Sequence, residues 1–339
     1  MKLARVIIAH NRVADDADIS TADVLEQVAL VERGLTELGV EHEVIAVDGH
    51  RVWEVIHPRP DTVVFNLVEA PPGMPQLQPA SAAVLELLGV PFTGSRSSAL
   101  WLTTDKLATR AVLASHGLPV APGGRIWSGS PEILSTVPPP WIIKPGWEDA
   151  SVGLDGSPVC FDREQAIEKA RELERRFAGQ PLVLEHFLPG REFNVALLDN
   201  GREPQVLPVA EMEFIDFPPG VPALISYEGK WIVGSFADKH TERRFPSDEV
   251  DGPLLAEVRR LARRAWTVCG MAGYARVDIR LDEHGLPCIL EVNANPCLSA
   301  EAGYVIAADQ AGMTPGPLVD RILRAALRPQ PQPDAGVPA

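Results

Sequence analysis

Residues 275–296 read ARVDIRLDEHGLPCILEVNANP. From Ala275 to Leu281 the residues alternate. Val277, Ile279 and Leu281 fall on one side of an extended chain, and Arg276, Asp278 and Arg280 fall on the other. The cluster Asp282–Gly285 is a turn signal and a second apolar run follows it, so a β-hairpin is predicted. Face matching sets its register. With Asp278 opposite Glu291, Arg276 meets Asn293, and Val277, Ile279 and Leu281 meet Val292, Leu290 and Cys288. A slip of one residue would turn the carboxylates into the core, where an unpaired charge is costly. One face of the hairpin therefore carries Arg276, Asp278, Glu291 and Asn293 together.

Two carboxylates and an amide oxygen suit a hard divalent cation, and Mg²⁺ completes such a set with water and phosphate oxygens. The same residues would also serve an ordinary surface hairpin with a salt-bridged acid pair. The surrounding sequence has to separate the two readings.

The chain has 339 residues, enough for two or three domains. Its net charge of −15 argues against nucleic-acid binding through a basic surface. It has no apolar run of about 18 residues, so no membrane span is expected. MKLARVIIAH reads as a first strand rather than a signal peptide, which points to the cytoplasm. The four cysteines lack CxxC spacing and are expected to be buried free thiols. Prolines gather in loops and in residues 329–339, read as a disordered tail.

Residues 1–97 alternate strands and helices, the pattern of a parallel sheet in an α/β fold. Ligands meet such sheets at the carboxyl ends of the strands. Asn66 and Glu69, in NLVEA, should face a cleft there, although Glu69 also reads as an exposed loop acid. A helical stretch is expected from about Ser98 to His116 and a long helix from about Glu249 to Cys269. Between them, Trp141–Ile143 reads as a short strand delivering Lys144. A small-residue loop, Gly146–Gly153, follows and allows backbone N–H groups to approach an anion. Residues 180–201 read as two strands interrupted at Pro189-Gly190.

TDKL, IIKPGWEDASVG, LVLEHFLPGREFNVALL, SYEGKW and the hairpin stretch occur in the order and spacing of ATP-grasp ligases. The chain most resembles the D-alanine–D-alanine ligase branch, over roughly residues 60–328. The resemblance implies an ATP-grasp fold with four regions. These are a Rossmann-like N-terminal domain over 1–97, a central subdomain over 98–182, a C-terminal subdomain over 183–328, and the tail. It implies that Lys106 and Lys144 hold ATP phosphates beneath a flap containing Ser151 and Val152. Glu185, His186, Phe187 and Leu188 would surround adenine, and Glu192 would bind the ribose hydroxyls. Asp278, Glu291 and Asn293 would hold two Mg²⁺ ions, with Mn²⁺ as an alternative. Arg276 and Lys230, a loop lysine, would contact the reacting carboxylate. Glu69, Trp231, Cys297 and Ser299 would border the substrate. A homodimer is implied as well.

The chemistry implied is ATP-dependent joining of a carboxylate to an amine through an acyl phosphate. Positioning and charge neutralisation dominate such phosphoryl transfers. Several positions depart from the family pattern. Ala150-Ser151 stands where the family has Ser-Ser, Trp231 where it has Tyr, Cys297 where it has Gly, and Ala302 where it has Ser. An N-terminal glutamate that orients the first amino acid is not found around residues 10–23. The expectation is therefore a dipeptide-type ligase for amino acids other than D-alanine. Alternatives are cell-wall D-alanine ligation, an ATP-grasp kinase and an inactive nucleotide-binding module.

Overall fold

The N-terminal apolar runs pair as a parallel sheet. β1 (Arg5–Asn11), β2 (His42–Val47) and β3 (Thr62–Leu67) take the order β2-β1-β3. The structure is a computed structural model describing residues 5–14, 19–47, 61–149, 151–155, 158–218 and 220–328. The expectations for Ala150 and for the 329–339 tail lie outside these residues. Every β3 residue is buried, as in a strand covered on both faces. Helix α1 (Ile19–Glu37) packs against the last helix, Pro315–Ala326. Gly34 permits that approach, since a Cβ there would stand 2.6 Å from Val319 Cγ2.

The expected helix over 98–116 is two helices, Ser97–Thr104 and Lys106–Ser115. Asp105 separates them. Its extended backbone ends the first helix, and its carboxylate accepts hydrogen bonds from Leu107 N (2.9 Å) and Ala108 N (3.0 Å) to cap the second. Lys106 is thereby fixed at the start of a helix.

A four-stranded antiparallel sheet follows, in the order β4 (Gly123–Ile126), β7 (Leu182–His186), β5 (Trp141–Pro145), β6 (Val159–Cys160). Helix Arg163–Arg176 covers it with Ala166, Ala170 and Leu173, spaced at one face of a helix. The boundary expected at 182/183 falls inside β7. By strand pairing the sheet continues through His186.

The third sheet runs β11 (Thr241–Arg244), β10 (Ala210–Phe214), β8 (Glu192–Leu198), β12 (Tyr274–Leu281), β13 (Pro287–Asn293), with the short strand β9 (Gln205–Val206) against β8. The helix expected from Glu249 spans Asp248–Val268. It buries Leu255, Val258, Leu261, Ala262 and Ala265 against Val195, Val277, Ile279 and Val292. The sheet's other face divides in two. Ala196, Leu198 and Tyr274 pack under helix Gly303–Gln310, whereas Glu192, Asn194, Arg276, Asp278 and Arg280 remain polar.

The β12–β13 hairpin keeps the expected register at its open end, with Arg276 opposite Asn293, Val277 opposite Val292, and Asp278 opposite Glu291. Beyond Asp278 the register shifts, so Ile279 meets Ile289 and Leu281 meets Pro287. Leu290 is the extra residue of a β-bulge. Ile289 N bonds Pro119 O at 2.8 Å, and Ile289 enters the core in place of Leu290. The alternation therefore breaks beside Glu291.

Candidate active site

The polar half of the third sheet faces the small sheet and the Lys106 helix. Lys106 Nζ lies 2.8 Å from Glu291 Oε1 and 3.1 Å from Asp149 Oδ1. Lys144 Nζ lies 2.7 Å from Glu185 Oε2, and Arg110 reaches the other oxygen of the same carboxylate at 2.7 Å. Arg276 makes a two-pronged contact with Asp278, both distances 2.8 Å, while Asn194 donates to Asp278 Oδ1 at 2.9 Å. Burial disfavours the charged form of Glu291, but Lys106, Lys144 and Arg276 outweigh it and bring the carboxyl down to about 2.

The expected metal-holding set is made of oxygen donors alone. Asp278 and Glu291 stand opposite one another across the hairpin, and Asn293 offers an amide oxygen that accepts from Asn295 N at 2.9 Å. Among the described residues no three His, Cys, Asp or Glu side chains form a metal cluster. Two carboxylates and one amide make an incomplete cage. That fits a hard ion that fills its shell with water and phosphate, and does not fit zinc.

Glu192 is buried and its oxygen lies 2.9 Å from Arg280 Nη1. Burial raises the Glu192 pKa, and Arg280 opposes the shift. Arg280, 3% exposed, also donates to the carbonyls of Gly190 and Ala223, and sits over the Phe187 and Phe214 rings at 5.0 and 5.4 Å. Gly190 must be glycine here, since a Cβ would stand 2.7 Å from Leu281. Phe187 and Leu188 are buried beyond the end of β7. The N–H groups of His186 and Phe187 are already bound by Pro122 O and Pro140 O, both at 2.8 Å. Of the backbone N–H groups of His186, Phe187 and Leu188, only that of Leu188 has no hydrogen-bond partner among the described residues. Ser151 takes a left-handed backbone (φ 63°) and donates to Ile225 O at 2.9 Å, while Val152 N bonds Asp149 O at 3.1 Å.

Lys230 lies in a short helix, Tyr227–Trp231, instead of the loop expected, with Nζ 5.1 Å from the Trp231 ring centroid. Crowding, then Arg276, lowers its pKa. Glu69 is exposed as a residue, while its carboxyl group lies among Asp149, Asp23, Lys230 and Gln27. Desolvation and the nearby Asp149 and Asp23 push it up to about 7. Cys297 donates its thiol to Asp23 at 2.8 Å and lies 3.1 Å from Ser299 Oγ. Burial and Asp23 push Cys297 up to about 12, so it stays a thiol near neutrality. All four cysteines are free. Cys160 and Cys269 are buried as expected, whereas Cys288 and Cys297 are only half-buried.

The family model "D-ala D-ala ligase C-terminus" matches residues 127–324. A D-alanine–D-alanine ligase of Moorella thermoacetica is 31% identical over 86% of this chain and 91% of that protein. The chain belongs to the D-alanine–D-alanine ligase family. It is an ATP-dependent C–N ligase of that family, with the ATP-grasp fold. A Bordetella avium D-alanine–D-alanine ligase is 34% identical over 72% of each chain. An uncharacterized protein of Sinorhizobium fredii, y4sG, is 32% identical over 80% of this chain and 76% of its own. The D-alanine–D-alanine ligase of Bacillus anthracis superposes with a TM-score of 0.75 at 18% identity, covering 96% and 97% of the two chains. The same enzyme complexed with ATP superposes at 0.72.

Within this ligase fold, sequence reasoning missed four residues that the structure draws to the cleft. Arg110 and Arg280 bind the two carboxylates Glu185 and Glu192. Asp23 and Gln27 sit one turn apart on α1, where Gln27 accepts from Leu298 N at 3.1 Å. Their spacing, and Gln27's polarity on an otherwise buried helix face, was the signal available.

Proposed function

We propose that the chain joins an activated amino-acid carboxylate to the amine of a second substrate, with substrates other than D-alanine. In this reading Lys106, Lys144 and the Ser151–Val152 flap take the ATP phosphates. Glu185 through Leu188 take adenine, and Glu192 takes the ribose. A carboxylate oxygen attacks the γ-phosphorus and ADP leaves. The amine then attacks the acyl carbon, phosphate leaves and the amine nitrogen gives up a proton. Asp278, Glu291 and Asn293 would hold Mg²⁺, which supplies charge neutralisation at the transferring phosphoryl group when bound. Lys230 and Arg276 would steady the reacting carboxylate, and the backbone after Pro296, at Cys297–Ser299, would border it.

The observation that carries the reading is the contact between Arg276 and Asp278. A guanidinium on the same face as the metal-type ligands has no task in simple phosphoryl transfer to a hydroxyl, which disfavours a kinase. Asp23 and Lys230 both neighbour Glu69; the two carboxylates would give an anionic end for a substrate ammonium and supply the charge of the N-terminal glutamate that is not found around residues 10–23. Trp231 and Ala302 remove hydroxyls that the family pattern places around D-alanine, which favours a different amino acid. The test is an ADP-release screen over amino-acid pairs, with mass spectrometry of the product. A condensed product from some pair at a rate above that for two D-alanines is expected. D-alanyl-D-alanine as the fastest product would overturn the substrate reading.

A further inference from the structure

Among the described residues of the cleft face, Arg243 has neither a part in the reaction as assigned nor an internal ion pair. Arg243 pairs with Met212, Met212 with Glu192, and Glu192 with Arg280 across successive antiparallel strands. Directly opposed residues share a face, so Arg243 projects to the side of Arg280, Asp278 and Arg276. Its neighbour Arg244 turns the other way and binds Glu211 through two hydrogen bonds of 3.1 Å.

Arg243 carries five N–H donors. Its Nε is buried without a hydrogen-bond partner, and among the described residues the guanidinium forms no ion pair. A buried donor left unpaired is costly and uncommon, and calls for a missing partner. The side chain lies against the start of helix Gly303–Gln310. Nη2, Cζ and Nε are 3.4, 3.7 and 3.8 Å from where a Cβ on Gly303 would stand. Ala302 provides no side-chain cap at that helix end, whose partial positive charge adds to the guanidinium. Desolvation and then Arg276 lower the pKa of Arg243, and Glu301 is the one acid that opposes this. Lys230 is lowered through the same neighbour. Arg276 thus neighbours both Lys230 and Arg243, and Arg243 lies beside the helix end that Ala302 leaves without a hydroxyl.

We propose that Arg243 is a specificity-determining residue that holds the carboxylate of the amine-bearing substrate. The acceptor is therefore an amino acid in preference to a simple amine. A planar guanidinium can bind a carboxylate through two hydrogen bonds, a stronger anchor than a serine hydroxyl. The inference rests on the ligase reading above.

The test uses the full chain and the best amino-acid pair from the product screen, with the acceptor offered as free acid and as its carboxamide. The wild type should prefer the acid by roughly 10–100-fold in kcat/KM, the range for a hydrogen bond to a charged group. Arg243→Gln should remove most of that preference while ATP affinity is retained, and Arg243→Lys should restore part of it. Equal use of acid and carboxamide by the wild type overturns the proposal. So does unchanged preference in Arg243→Gln, or a rise in the KM for ATP instead of the acceptor. If no amino-acid pair gives product with the wild type, the proposed amino-acid substrates have failed and the inference falls with them.

Discussion

Lys106, Lys144, Arg276 and Arg280 each face a carboxylate at 2.7–2.9 Å, whereas Arg243, on the same sheet face as Arg276 and Arg280, has no ion pair among the described residues. The two ends of the cleft therefore hold their charges differently. At the end assigned to ATP, every cation has an internal anion that keeps its side chain extended and in place. Ligand binding there exchanges one set of partners for another. At the end assigned to the amino acids, an arginine lacks a partner, a lysine is depressed and Glu69 is raised. Under the proposed reading, such a region would suit a zwitterionic substrate. The first arrangement is preorganised by the protein, and the second is completed by the substrate.

The strongest way to break this contrast is at the paired end. Asp278→Asn or Glu291→Gln should lower Mg²⁺-dependent turnover by ~10³ or more, beyond the effect of losing a single oxyanion donor. The apolar face of the hairpin is untouched, so circular dichroism should report an intact fold. Wild-type turnover in either variant would show that this face does not hold the metal.

Arg276 belongs to both ends, since it pairs with Asp278 and crowds Lys230 and Arg243. Arg276→Ala should reduce amide formation by ~10²–10³ while calorimetry still finds ATP binding. Arg276→Lys should recover only part, because an ammonium cannot make the two-pronged contact. Equal loss of ATP affinity and product would make Arg276 a nucleotide or structural residue and not a partner of the reacting carboxylate.

The paired end was largely legible in the sequence because it lies on regular structure. Alternation along β12 and β13 put Arg276, Asp278, Glu291 and Asn293 on one side, and the structure pairs Asp278 with Glu291. The bulge at Leu290 was not legible, because it depends on the contact of Ile289 with Pro119, a residue far away in the chain. The unpaired end was hardly legible at all. Arg243 gains its place through a chain of three strand pairings, and Asp23 through the packing of α1 on the loop after Pro296. Arg243 has no local pattern, and the one-turn spacing of Asp23 and Gln27 does not say what they meet. Arg280 was visible as a residue on the polar face of β12, but its role depends on Glu192 and Phe187, which no spacing connects to it.

Arg280 sharpens the comparison because it is the most deeply buried cation of the paired end. Arg280→Met leaves the Glu192 carboxylate buried without its cation, which should destabilise the fold by about 3–5 kcal/mol. The double variant Arg280→Met/Glu192→Gln should recover much of that stability in chemical denaturation. Arg280→Met should also lose about tenfold of the preference for ATP over 2′-deoxy-ATP, equal to one charged hydrogen bond misplaced. Unchanged nucleotide preference in a folded variant would make Arg280 purely structural.

The smallest effect belongs to Glu69 and reads the unpaired end directly. Its carboxyl is pushed from the usual 4.5 up to about 7, by desolvation first and then by Asp149 and Asp23, with Lys230 and Gln27 acting the other way. A folded-state pKa above the unfolded value means that the folded protein holds this proton more tightly. The resulting stabilisation is present below pH 4.5 and is lost as the pH rises through 7. Relative to Glu69→Gln, the ligand-free wild type should therefore lose thermal stability across that window. Binding a substrate ammonium needs the ionised carboxylate, so the two effects have opposite signs. For one group titrating near 7, kcat/KM for the amino acid should rise about threefold between roughly pH 6.5 and 7.5. Glu69→Gln should flatten that rise, while the KM for ATP should stay level in both proteins. A rise that persists in Glu69→Gln would assign the titration to another group. A pH-dependent KM for ATP of the same size would remove the distinction between the two ends.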